Sequence, residues 1–193
     1  MTDNVQVTVA RYGRRFNTTR MEVHDIRREA KVRELDAGGG EYWAEVHRSD
    51  VPTPIGVFVD GGMGVVRVKF CRPEGDLDHE LIYARCDNDP SRMRLKTVTI
   101  WRGGMHRGDR ADSWVANFDD GKGWRQINDD YGGYRAEPVD GLDPHAFDED
   151  WPKVGEYAAI TRPGRPLWSF GEPPFEQVVA ESGSVLLSPD QAA

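Results

Sequence analysis

The sequence predicts a single α+β domain, mostly antiparallel β, whose sheet is curved toward a barrel or a sandwich and which has one N-terminal helix. Three observations predict this class. Most apolar residues alternate with polar ones, turns rich in glycine and aspartate separate these segments, and only one stretch has helical spacing. The 193 residues suit one domain over 1–193, and a domain of this size buries about 70% of its unfolded surface.

The N-terminal part combines a strand signal with a helix signal. Valines alternate with polar residues over 5–13, which predicts a half-buried strand. Thr19 followed by Glu22 has the spacing of a capping box, and the glycines at 38–40 supply a helix stop, so we expect a helix between them. Its apolar residues point to two sides. The alternative is a helix that ends early, with a strand beginning near Lys31.

The middle of the chain consists of strand signals. A strand is predicted over 41–48, and a long hairpin over 55–70 is built around Asp60-Gly61-Gly62. Two further strands, 80–86 and 96–102, are separated by a polar loop over 87–92.

The second half continues this pattern. The run SWVANF, a turn DDGKG and the run WRQIN predict a hairpin over 113–128. Residues 132–153 are rich in Pro, Gly and Asp and predict an ordered loop or a short helical turn, so that 109–153 forms an acidic hairpin with its following loop. The sequence also predicts short closing strands and a frayed tail: strands at 156–162, 166–170, 176–180 and 184–188, and the tail at 188–193.

Composition indicates a cytoplasmic protein. No apolar run approaches the ~20 residues that span a bilayer, and the N-terminus lacks the apolar core of a signal peptide. We expect Cys71 and Cys86 to be buried free thiols. The 20 arginines against 5 lysines are typical of a high-GC bacterial or phage genome. They are scattered along the sequence and the net charge is −8, which argues against direct nucleic-acid binding.

The acidic charge lies in one segment. Residues 109–150 hold 12 acidic and 4 basic side chains, a balance equal to the whole net charge of −8. Aromatic residues are interleaved with these acids. Aromatic anchors ringed by charge are typical of protein interfaces, so the segment predicts a partner-binding face. The predicted face consists of Asp112, Trp114, Asp119, Asp120, Trp124, Asp129, Asp130, Tyr131 and Tyr134, with Asp148, Glu149, Asp150 and Trp151 beyond them.

No motif indicates a metal, a cofactor or a known catalytic class. The five histidines do not form H-x-x-x-H or H-x-H, and the acidic turn lacks the spacing of an EF-hand. The sequence also has no phosphate-binding glycine loop and no nucleophile elbow. We therefore expect no cofactor and no metal site.

The prediction from these patterns is a non-catalytic binding protein that docks a basic protein surface. Inhibitor- and immunity-type proteins, which block the basic cleft of a nucleic-acid-handling toxin or enzyme, work this way. Two alternatives stay open. A virion or tail-type assembly subunit, and hence a homo-oligomer, would exchange hairpins such as 55–70 between neighbours. An enzyme would use His106, Asp109 and Asp112 as an acid–base cluster.

Overall fold

A computed structural model describes residues 5–105, 113–119, 122–128, 134–139 and 144–163 of the chain, with side chains described over 5–101, 145 and 147–163. The described elements are strands, one α-helix and one 3-10 helix. They are β1 (Val7–Gly13), β2 (Arg15–Asn17), β3 (Glu22–His24), α1 (Glu29–Ala37), β4 (Glu41–Arg48), β5 (Ile55–Asp60), β6 (Val65–Cys71), β7 (Leu77–Cys86), β8 (Asp89–Met105), β9 (Ser113–Asp119), β10 (Lys122–Asn128), β11 (Tyr134–Val139), the 3-10 helix Pro144–Phe147, and β12 (Glu149–Asp150).

The described strands build one large antiparallel sheet in the order β1-β4-β5-β6-β7-β8-β9-β10-β11, with β12 paired to β8 as its tenth strand. Seven strands curl strongly into a half-barrel. Strands β2 and β3 pair with each other in a separate two-stranded sheet. The predicted fold class, mostly antiparallel β with one helix near the N-terminus, is confirmed.

The core lies on the inner face of this curled sheet. Ala44, Val57, Val68, Leu81 and Val98 form one row across five strands, because each is in register with the next. All five are at most 1% exposed. Their outward neighbours are polar or half-buried except Gly56, which Phe16 covers, and this is the period-two pattern of a sheet with its main core on one face.

The capping-box prediction was wrong. Thr19 lies in a turn and Glu22 begins β3, while the helix starts ten residues later, after an N-cap at Arg28 whose side chain makes no capping hydrogen bond. The reason is tertiary: Val23 is buried against the large sheet, and this contact selects a hairpin over a helix. The predicted stop is confirmed, since the Gly38 N–H donates to the carbonyl of Glu34 at 3.1 Å.

Strand β8 is longer than the sequence predicts. The loop expected over 87–92 is reduced to two residues, and β8 begins at Asp89. Its first half pairs with β12, Glu149 opposite Met93 and Asp150 opposite Arg92. The start of β8 also pairs with β7, with Asp89 opposite Cys86. The polar residues at 89–92 therefore form a strand through the adjacent β7 together with β12, which lies more than fifty positions away in the sequence.

Later elements match the predictions in part. The 113–128 hairpin is confirmed, although two residues rather than five separate its strands. Within 132–153, which was predicted as an ordered loop or a short helical turn, residues 134–139 form β11 and Pro144–Phe147 form the 3-10 helix. The strand predicted over 156–162 is wrong, because these residues form turns, and the Thr161 N–H bonds to the Tyr157 carbonyl as in a helical turn. The remaining predicted strands and the tail lie outside the described residues.

The segment 147–161 packs against the core of the half-barrel. Four of its apolar side chains join the core: Phe147, Val154, Tyr157 and Ile160. Tyr157 lies against the inner face, where its hydroxyl donates to the Tyr42 hydroxyl at 3.4 Å. Burial raises the pKa of both phenols, so they stay neutral at physiological pH. The chain thus leaves the body after β8 and returns to it at this segment.

Candidate functional site

Strands β9, β10 and β11 form a three-stranded unit, here called the arm, at one end of the sheet. The arm is attached through the second half of β8, with Thr97 opposite Asn117 and Trp101 opposite Ser113. The first half of β8 pairs with β12 on this edge, so the arm adjoins only the second half of β8. The arm lies within the acidic segment 109–150.

Two of the predicted aromatic anchors, Trp114 and Trp124, occupy positions on opposite faces of the arm. Trp114 is in register with Ile100 of β8 and Ile127 of β10. Trp124 is in register with Asn117 and Pro138. Residues in register across an antiparallel sheet share a face, and neighbours along a strand alternate. Trp124 is three positions from Ile127 on β10, so the positions of the two tryptophans belong to opposite faces of the sheet.

Two other predicted residues lie at strand ends of the arm. Asp119 is the last residue of β9 and is in register with Lys122. Tyr134 is the first residue of β11 and is in register with Asn128. The remaining predicted residues fall outside the described ranges, so their part in a binding face stays a prediction: Asp112, Asp120, Asp129, Asp130 and Tyr131, together with the His106 and Asp109 of the alternative acid–base cluster.

The C-terminal end of the acidic segment is bound to the body. Asp148 accepts a hydrogen bond from Arg94 Nε at 3.1 Å, and Asp150 accepts one from Arg92 Nη1 at 3.0 Å. Trp151 lies beneath the Arg85 guanidinium, 3.7 Å from ring centroid to Cζ. These contacts partly neutralise two of the acids and occupy one aromatic ring. Asp148 and Asp150 are therefore engaged by the body.

A second charged surface was missed by the sequence analysis. Residues 11–28 hold 6 arginines against 2 acidic residues, a balance of +4 within a chain whose net charge is −8. Arginine is therefore clustered here, and the expectation of scattered arginines was wrong. We call residues 11–28 the arginine hairpin, because β2 and β3 form its centre. The available signal was the repeated Arg-Arg pair, at 14–15 and 27–28.

The arginine hairpin is fastened to the outer face of the sheet by one carboxylate and one ring. Glu45, 2% exposed, accepts the Val23 N–H at 2.9 Å and lies 3.1 Å from Arg11 Nε. Phe16 covers Gly56 so closely that a Cβ there would lie 2.6 Å from its ring. Phe16 also stacks on Trp43 with centroids 5.7 Å apart. The backbone of the hairpin is thus anchored while its arginines stay at the surface.

A groove of about 840 Å³ is lined by the arginine hairpin and by the turn between β6 and β7. Its hairpin wall carries Arg15, Arg20 and His24, and the opposite wall carries Glu74 and Asp76. Arg15 and Arg20 are 75% and 70% exposed. The hairpin wall of the groove is thus basic and exposed to solvent.

The width of the groove depends on one glycine. Gly75 has φ +90°, and a Cβ at this position would meet the Thr19 carbonyl oxygen. A side chain there would be strained in its backbone conformation and would also push the two walls apart. The glycine therefore allows the β6–β7 turn to lie directly against the hairpin.

A buried polar cluster lies at the start of β7. Asp78 bridges Arg72 Nε at 3.1 Å and His79 Nδ1 at 2.7 Å, and Phe70 stacks on the His79 ring with centroids 4.1 Å apart. A register shift lies between Leu77 and His79, and Asp78 and His79 are both buried although they are neighbours along the strand. A carboxylate and an imidazole in this arrangement can move a proton. However, His79 is 3% exposed, so the imidazole does not meet solvent.

The cysteines are free thiols, as predicted, but only Cys71 is buried and Cys86 is half-buried. Burial raises the pKa of Cys71 to about 12, so this thiol stays protonated and is a poor nucleophile. Within the described residues no three His, Cys, Asp or Glu side chains are grouped as metal ligands. No helix among the described residues is long and apolar enough to cross a membrane.

No protein-family model, no curated protein and no solved structure matches the chain. The function has to follow from its own geometry and charge.

Proposed function

We propose that the protein is a non-catalytic binding module whose acidic arm docks a basic protein surface. The observation that carries this proposal is topological. The acid-rich segment 109–143 contains the arm, which lies at one end of the sheet and is joined to the body through half of β8. Asp119 and Glu137 lie on its described strands, and the other acids of the segment lie outside the described residues. An element at the end of a sheet reaches a partner without disturbing the core.

The charge balance supports the same proposal. Residues 109–143, which exclude the acids bound to the body, hold 9 acidic against 4 basic side chains, a balance of −5. A concentrated charge of one sign accelerates association with a surface of the opposite sign and disfavours other partners. This steering is screened over about 8 Å at physiological ionic strength, so binding by the arm is salt-dependent.

Inhibitor- and immunity-type action is one form that such docking takes. A basic cleft that handles nucleic acid is shaped to receive regularly spaced negative charge, and the acids of segment 109–143 supply that charge. In this form the protein acts by occupying a site and carries out no reaction of its own.

The test is affinity capture from a lysate of the source cell at low and at moderate salt. The arm variant is D119N/D120N/D129N/D130N. The matched control, E29Q/E34Q/E41Q/E74Q, removes the same charge from exposed glutamates of the body. We expect a basic protein to be held by the native chain and by the control and lost by the arm variant. Equal capture by the arm variant would refute the proposal.

Kinetics on the captured partner gives a second readout. The four arm substitutions should slow association by about tenfold and flatten its salt dependence, because long-range steering acts mainly on the association rate. An unchanged association rate with faster dissociation would mean that the aspartates make contacts without steering.

A further inference from the structure

We infer that the groove beside the arginine hairpin binds a nucleoside monophosphate, with the phosphate at the hairpin wall and the nucleoside against Phe16 and the acidic wall. Two cations without a hydrogen-bonded carboxylate, a half-buried aromatic ring and two carboxylates surround this one groove of about 840 Å³. The described residues that line the groove include none from the arm, so this inference does not rest on the proposed function.

Lys69 gives the groove a positive charge that is not bound by a carboxylate. Its Nζ lies 3.9 Å from Glu80 Oε1 and 5.5 Å from the centroid of the Trp43 ring. Neither distance is that of a hydrogen bond, and the Lys69 side chain is 24% exposed. The three N–H donors of the ammonium group can therefore bind an anion in the groove, where partial burial reduces screening by salt.

The hairpin wall adds further donors on one turn. The Arg20 guanidinium reaches Glu22 only at 3.9 Å, and its backbone N–H donates to the Asn17 side-chain oxygen at 3.1 Å, which holds the turn in place. The hydroxyl groups of Thr18 and Thr19 also line the groove and have no hydrogen-bond partner among the described residues. A guanidinium and hydroxyl groups are the side-chain donors that bind phosphate oxygens.

The charges around the groove favour a single phosphate over a chain of phosphates. Its described lining holds three arginine and lysine side chains and two carboxylates: Arg15, Arg20, Lys69, Glu74 and Asp76. Arg15 is already paired with Asp25 at 3.0 Å. One phosphate at Arg20 and Lys69 is attracted, whereas the next phosphate of a nucleic-acid strand would be repelled by the carboxylates of the opposite wall.

The size and the apolar lining of the groove suit a nucleoside. Its volume of about 840 Å³ lies within the ~300–1,000 Å³ of pockets that take small organic ligands, and a phosphate ion fills only part of it. Phe16, whose ring covers Gly56, lines the groove together with Leu77. Aromatic side chains bind bases through their flat faces and edges.

The acidic wall can accept the hydrogen bonds that a nucleoside donates. Bases and ribose carry N–H and O–H donors, which carboxylates accept. Glu74 is exposed, and its carboxylate has no hydrogen-bond partner among the described residues. Gly75 lets this turn lie directly against the Thr19 backbone, so the two walls have a fixed spacing. An anion at one wall and donors at the other describe a nucleoside monophosphate.

Isothermal titration calorimetry on the full chain tests this inference. The probes are AMP, GMP, CMP and UMP, together with adenosine, ribose 5-phosphate, inorganic phosphate and a single-stranded DNA. We expect at least one monophosphate to bind about tenfold more tightly than ribose 5-phosphate, inorganic phosphate or adenosine, since each of these lacks one end of the ligand. The DNA should bind more weakly than that monophosphate, because its further phosphates meet the acidic wall.

Variants of the two cations locate the phosphate. R20Q/K69Q should weaken binding of the monophosphate by about tenfold or more. The matched control K31Q/R33Q removes the same charge from exposed cations of α1 and should bind as the native chain does. R20Q alone changes a side chain that is 70% exposed, so the fold is kept, and binding should still weaken. Equal binding by R20Q/K69Q and the native chain would overturn the inference.

Amide chemical shifts in NMR spectra give the position of the ligand. Addition of the monophosphate should shift the amides of Thr19, Arg20 and Gly75 and leave those of Lys31 and Arg33 in place. Shifts confined to other parts of the chain would overturn the inference. Equal affinity for inorganic phosphate and for every monophosphate would also overturn it, since the groove would then hold an adventitious ion only. The arm variant D119N/D120N/D129N/D130N should bind the monophosphate like the native chain, so this result is separate from the capture experiment.

Discussion

The half-barrel body and the arginine hairpin are both antiparallel β structure, but they are stabilised in different ways. In the body, rows of apolar side chains run across five strands, and the guanidinium groups of Arg48 and Arg72 contact carboxylates closely. The hairpin has strands of three residues, and it holds to the sheet through Phe16, Val23 and the carboxylate of Glu45. The body is therefore stabilised by its own core, whereas the hairpin depends on its contacts with the body and carries exposed charge.

The largest expected effect comes from a cavity in the body. Leu81→Ala should lower the free energy of unfolding by about 3 kcal/mol, because Leu81 is 1% exposed at the centre of the inner row. Ile82→Ala, on the half-buried outer face, is the matched control and should cost clearly less. Chemical denaturation measures both. Equal costs would mean that the inner face is not the principal core.

The contrast between body and hairpin also separates what sequence could predict from what it could not. The body strands follow from alternation, and the long hairpin at 55–70 follows from its Asp-Gly-Gly turn, because these signals are local. The structure around Thr19 and Glu22, in contrast, is not decided locally. These residues also suit a capping box, and a β-hairpin forms instead because Val23 is buried against a strand that is distant in the sequence.

The candidate site was predictable only in its charge. Counting acids along the chain finds the segment 109–150 but not that Asp148 and Asp150 bind Arg94 and Arg92, since those pairs join positions more than fifty residues apart. The arginine hairpin was missed for the related reason that a total of −8 conceals a local balance of +4. The contacts of these charged side chains depend on their position in the fold, which the composition of the chain does not reveal.

A moderate effect is expected where the hairpin joins the body. Glu45→Gln removes the charge opposite Arg11 and weakens the acceptor of the Val23 N–H. Hydrogen bonds to a charged group contribute about 1.5–3 kcal/mol, so the Val23 amide should exchange about tenfold faster with deuterium. The Val68 amide, deep in the body, is the reference and should change less. Equal acceleration at both amides would show that hairpin and body unfold as one unit.

The smallest effect concerns Glu80, a partly buried carboxylate on the outer face of the sheet. Burial raises the pKa of Glu80, and Lys69 and Arg67 oppose this only in part. Because the folded-state pKa lies above that of the unfolded chain, the ionised carboxylate destabilises the fold at neutral pH, and this penalty fades as the pH falls below the ordinary glutamate pKa of about 4.3.

Glu80→Gln should therefore raise the Tm by about 2 °C at pH 7, and the gain should vanish near pH 4. Glu74→Gln, an exposed glutamate on the β6–β7 turn, is the control and should leave the Tm unchanged at both pH values. A gain that persists at pH 4 would mean that the amide stabilises by a new contact instead of by removal of a buried charge.

Strand β8 gives the chain a modular construction. Its first half pairs with β12 and its second half with β9, so the polypeptide leaves for the arm and comes back to the same strand. Evolution can lengthen, exchange or delete everything between those two attachments while the register of β4 to β8 stays as it is. In a lineage of such proteins we expect the half-barrel to be the inherited scaffold and the arm to be the part that diverges with each new partner.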